Sequence, residues 1–281
     1  MKIFALKNIL NATAIFTAFL FSCSDQPGNS SATGETDPDI IKKEVVLSPE
    51  AEVLLSRFPT PFELTKMLDD ARAPYIFSLS NSPEDLGRYF TEKTKSIALG
   101  IYTTDLAYAA TYNRTSETGK YLYCTGKLAG DLGIAGVYDK RLVGKVNRQK
   151  NSKDSLVVLI KKVLGETNDF LGRNNRTQVA VLVASGAFAE GLYIAASLCQ
   201  AARNNLQIAS AIYRQKENLD KLLKILNEYG MDSSLKPVRD ELEKLRPVFT
   251  DLGLIPGASL PPDKAAAIAK LAREVRDSLI K

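Results

Sequence analysis

The chain has 281 residues, 37 basic and 32 acidic side chains, three cysteines and no histidine. The missing histidine excludes Ser-His and Cys-His nucleophilic dyads, most zinc sites and the Glu-x-x-His pairs of di-iron bundles. The net charge is +5, about +3 without Lys2 and Lys7 of the N-terminal segment, and is scattered rather than gathered into long blocks, which removes the main electrostatic support for nucleic-acid binding; nothing in the sequence calls for a metal or a cofactor.

Met1-Lys2 and Lys7 open the chain with positive charge, and Ile9 to Phe21 is mostly apolar. That layout predicts a secretory signal over 1–22, with an apolar run short for a transmembrane span. The tetrapeptide Leu20-Phe21-Ser22-Cys23 resembles the lipobox of bacterial lipoproteins, with Phe21 larger than the residue usual at its place. The resemblance implies that Cys23 receives a diacylglycerol on its thiol and becomes the first mature residue. The anchor expected is thus a lipid on Cys23, in the outer membrane of a bacterial envelope. Ser24-Asp25 resembles the short acidic export signals of Bacteroidetes, which leaves the periplasmic and surface faces both open. From there to residue 47 the sequence is polar, rich in Gly, Ser and Thr, and reads as a flexible tether.

Residues 48–281 carry helical spacing almost throughout and predict an all-α bundle of about eight to ten helices. Ser48-Pro49 and Thr60-Pro61 each place a capping residue before proline at the first helical position, opening helices over about 49–57 and 61–72. Ser82-Pro83-Glu84 starts a predicted long helix to Tyr112, broken by Asn113-Arg114. Further helices are expected over 115–132, 139–149 and 152–172. The stretch 177–202 is apolar nearly all round and reads as the central core helix rather than a membrane span. An amphipathic helix follows over 205–229, then a narrow seam of Leu235, Val238, Leu242 and Leu245 up to Pro247. Pro261-Pro262-Asp263 opens the last predicted helix.

Shifted by 86 residues, Ala98, Gly100, Leu106, Ala109 and Ala110 fall on Ala184, Gly186, Leu192, Ala195 and Ala196. Either a helical hairpin is duplicated with pseudo-twofold packing, or closely packed helices share a bias toward small residues. In both cases the two glycines, costly inside helices, point to close helix approach. With the lipobox, the stretches around Ala98 to Asn113 and Ala184 to Tyr193 resemble exported all-helical lipoproteins of Bacteroidetes, a resemblance that implies no functional residues.

Asp105 and Glu190 stand out because each shares a helix face with apolar and tyrosine neighbours. One reading is a ligand pocket lined by Tyr102, Asp105, Tyr108, Tyr112, Glu190 and Tyr193, suited to a cationic or polyhydroxylated ligand. The other is a structural network of tyrosines and carboxylates with Arg114 or Arg176. Cys124 and Cys199 either pair as a disulfide, which an exported compartment permits, or stay as buried thiols. Ser233-Ser234-Leu235-Lys236 fits S-x-x-K without its companion motifs, and no Gly-Lys pair completes a P-loop. The function expected is a non-enzymatic envelope lipoprotein, a binding or structural module with an unidentified partner. The alternative is a receptor or enzyme using Asp105 and Glu190; no catalytic residue is assigned.

Overall fold

The computed structural model describes residues 48–56, 58–134, 153–174, 176–202, 205–229, 235–250 and 257–281, all within a compact unit that spans 37–281. The signal, Cys23, the tether, the 139–149 helix with its basic residues, Ser152, Ser233 and Ser234 lie outside the described residues.

Among the described residues every regular element is helical, as the spacing predicts. The helices are α1 (Pro49–Ser56), α2 (Pro61–Asp70), α3 (Glu92–Thr111), α4 (Thr115–Asp131) and α5 (Lys153–Arg173). They continue as α6 (Thr177–Ala201), α7 (Leu206–Glu228), α8 (Lys236–Glu243), α9 (Arg246–Thr250) and α10 (Pro262–Leu279). Ser48 caps α1 by accepting from Ala51 N at 3.1 Å. Three helices end in the same closure, with one left-handed residue and a hydrogen bond spanning five positions. Arg72, Asn113 and Gly133 supply the positive φ. Ala73 N reaches Leu68 O at 3.0 Å, Arg114 N reaches Ala109 O at 2.8 Å and Ile134 N reaches Ala129 O at 2.7 Å.

One helix predicted as continuous is two elements. Pro83–Arg88 is a 3-10 turn, and α3 begins only at Glu92. Thr91 wins the start of α3 through a reciprocal cap: its hydroxyl accepts from Thr94 N at 3.1 Å, and Thr94 Oγ1 accepts from Thr91 N at 3.2 Å. Between the two elements Tyr89 is extended and buries its ring edge-on to Tyr102, centroids 6.2 Å apart.

Helices α3 and α6 form the centre, where α3 is buried at every position from Ser96 to Thr111. α4 and α2 cover α3, while α10 and α7 cover α6. The central crossing is reciprocal. A Cβ on Gly100 would sit 2.0 Å from Val183 O, and one on Gly186 would sit 2.1 Å from Ile97 O. Ile97 and Val183 are themselves equivalent under the shift of 86, so the contact has the pseudo-twofold form that a repeated hairpin implies. Thr104 Oγ1 adds a bond across the crossing to Ala187 O at 3.3 Å.

By length and composition α6 could cross a bilayer, contrary to expectation: 25 residues with a mean hydropathy of 1.8 over its most apolar stretch. Yet 83% of that stretch is buried inside the bundle, and it carries Glu190, so its apolar surface is spent on neighbouring helices.

Cys124 lies in the core between α3 and α4, and Cys199 in the separate cluster around α6, α7 and α10. Both are free, so the disulfide alternative gives way to two buried thiols. Burial pushes each thiol up to about 11.

Candidate functional site

The two carboxylates singled out from the sequence do come together. α3 delivers Asp105, α6 delivers Glu190, and neither has any solvent exposure. Asp105 Oδ2 accepts from the backbone N of Asn81 at 3.0 Å. Glu190 Oε2 accepts from Arg276 Nη1 on α10 at 2.9 Å. The remaining oxygens, Asp105 Oδ1 and Glu190 Oε1, are sealed and accept from no donor.

Two buried acids beside one guanidinium cannot both stay ionised at modest cost. Burial, then the charge of Glu190, pushes Asp105 well above the usual carboxylate range. Burial also raises Glu190, against the pull of Arg276. Burial thus favours the protonated form of each acid, most of all Asp105, while Arg276 draws Glu190 toward its charged form.

Arg276 is fully engaged. Its Nε and Nη2 each lie 2.9 Å from Asp277 Oδ1, and its guanidinium stacks 4.6 Å from the Tyr193 ring centroid. Although burial opposes its charge, Glu190 and Asp277 hold it above its ordinary range.

The tyrosines act as staples for the segment between α2 and α3. Tyr102 donates to Ser82 O at 2.6 Å. Tyr108 accepts from Ile76 N at 2.8 Å and donates to Pro74 O at 3.4 Å. Tyr112 stacks edge-on to Tyr108 at 5.0 Å. Ser80 faces Asp105, Tyr75 and Tyr121 at the inner end of that segment. Where the sequence offered a tyrosine-lined ligand pocket or a structural network, the two acids lie wholly buried, and the hydroxyls of Tyr75, Ser80 and Tyr112 near them are sealed without a partner as well. Of the six residues expected in that pocket, Tyr193 borders an open surface groove, with Ile76, Leu79 and Arg273.

The cation partner was misjudged as well. Arg114 lies over the Tyr75 ring at 4.9 Å, and Arg176 bonds Glu92 and Leu132 O, while Arg276 meets the acids. The signal for Arg276 was its position three residues before the inward Leu279 and four after Ala272.

Sequence reasoning also missed an open groove of about 320 Å³ between the 58–61 segment, α2, α6 and α7. Leu64, Met67, Phe188 and the bare backbone of Gly191 line its apolar part, and Gln215 and Asn218 stand in its wall. The detectable sign was two amides one turn apart on the inward face of amphipathic α7. Among the described residues no group of three or more metal-ligating side chains gathers anywhere. Comparison with protein-family models, with curated proteins and with solved structures finds no match for this chain.

Proposed function

We propose that this chain is an exported lipoprotein whose helical body is a non-enzymatic binding module, held at the envelope membrane by acyl chains on Cys23. The observation that carries the non-enzymatic part is the closure of the carboxyl pair. Asp105 and Glu190 are the acids wholly buried among the described residues; burial pushes both toward the neutral form, and Arg276 holds Glu190. An acid-base pair for catalysis must reach a substrate proton, and this one reaches no solvent. The open groove offers apolar contacts, amides and separated charges, which suit binding rather than bond cleavage.

The anchor rests on Leu20-Phe21-Ser22-Cys23 in register behind a positive start and an apolar run. Two acyl chains give lasting membrane attachment where one gives a marginal one. Growth with a labelled fatty acid tests it. Label is expected on the native chain and absent from Cys23→Ala. An unlabelled native chain that still begins at Met1 overturns the proposal.

A further inference from the structure

The groove against α7 has a polarity pattern that selects among ligands. Gln215 and Asn218 are each more than nine-tenths buried, yet both line it. Gln215 Nε2 donates to Ala211 O at 3.2 Å, and Asn218 Nδ2 donates to Gln215 Oε1 at 2.9 Å. These bonds fix both amide planes, while Asn218 Oδ1 accepts from none of the described residues. A fixed and unspent amide is what a bound peptide group or similar polar link requires. The lining carries charge of both signs on different helices. Arg214 stands on α7 and Glu63 on α2, both exposed, and neither has an ion-pair partner among the described residues. Lys221 is already neutralised by Glu217 at 2.7 Å. Among the described residues the walls therefore present one cation and one anion without an ion-pair partner, together with the apolar Met67 and Phe188.

We propose that this groove binds a short zwitterionic peptide of about dipeptide size with apolar side chains. Its carboxylate meets Arg214, its ammonium meets Glu63, its side chains rest on Met67 and Phe188, and Asn218 accepts from its amide. The volume of about 320 Å³ lies at the small end of ligand sites, which favours a small occupant over a polymer segment. A neutral sugar would leave both charges idle. The assignment rests on reading the body as a binding module.

Calorimetric titration of the purified full chain with leucyl-leucine tests it, with the N-acetylated dipeptide, the C-terminal amide and maltose alongside. Saturable binding of leucyl-leucine is expected, with each capped form weakened about tenfold or more. Arg214→Ala should erase the preference for a free carboxylate, and Glu63→Ala the preference for a free ammonium. Both positions are exposed, so circular dichroism and Tm should stay unchanged. If a variant proved unstable, the capped peptides on the unaltered chain decide alone. No binding of leucyl-leucine at millimolar concentration, capped forms binding equally well, or maltose binding in its place overturns the proposal. The titration is independent of acylation at Cys23, so failure of the anchor and failure of the groove are read separately.

Discussion

Glu190 on α6 and Arg276 on α10 meet 2.9 Å apart, with 0% and 8% of their side chains exposed. The contact fastens α10 to one of the two central helices of the bundle. Its value is seen when one partner is removed, because the other is then left charged and dry. Arg276→Met is expected to lower unfolding free energy by about 3–5 kcal/mol in urea titrations. Glu190→Gln combined with Arg276→Met should recover a large part of that loss. A loss below about 1 kcal/mol for Arg276→Met would refute the clamp.

Asp105 makes stability fall as pH rises. Its folded pKa lies above its unfolded value, so its stabilising contribution is fully present below the unfolded pKa and is lost on the way up to the folded one. Glu190 is raised too and acts in the same direction. From about pH 4 upward, each proton held only by the folded state gives a slope of about −1.4 kcal/mol per pH unit. Asp105→Asn keeps the shape of the side chain and removes its titrating proton. It is expected to flatten the slope and to equal or exceed the parent in stability at pH 7, measured by urea unfolding across pH.

Two pairs of helical glycines sit in opposite surroundings. Gly100→Ala and Gly186→Ala each drive a methyl into backbone carbonyl oxygen at the central crossing, and backbone has little room to yield. Each should cost about 3 kcal/mol or more, at the upper end of overpacking. Gly119→Ala and Gly130→Ala, on exposed positions of α4 with nothing within 4 Å, should instead stabilise by about 0.4–1 kcal/mol. Thermal denaturation of the four variants checks the contrast.

Buried thiols with a pKa of about 11 carry almost no thiolate at pH 8. Cys124 and Cys199 should therefore resist iodoacetamide in the folded chain and react once urea unfolds it, with no change on prior reduction. Peptide mapping after alkylation reads both sites. A modified Cys124 or Cys199 under native conditions would contradict the packing.

Local chemistry was the most legible part of the sequence. Thr60-Pro61 and Pro262 mark true helix starts, and Leu235, Val238, Leu242 and Leu245 a seam that is buried throughout. The break before α3 was hidden because Ser82-Pro83-Glu84 carries the same start signal, while the deciding cap uses Thr94 where glutamate is usual. The acids of the candidate site were visible as charges on apolar faces. Their partner was not, since pairing across helices depends on packing that periodicity does not encode. The groove was still less visible. It is made by three helices and a linker, and no one segment bears its mark.

The position of Arg276 late in the chain has a consequence for biogenesis. Helix α6 carries an acid that has no guanidinium to rest against until the segment 262–279 has been synthesised. A partly made chain can coil its helices, yet the ion pair that seats this acid forms only once 262–279 has emerged, so final consolidation of the bundle waits on its last helix.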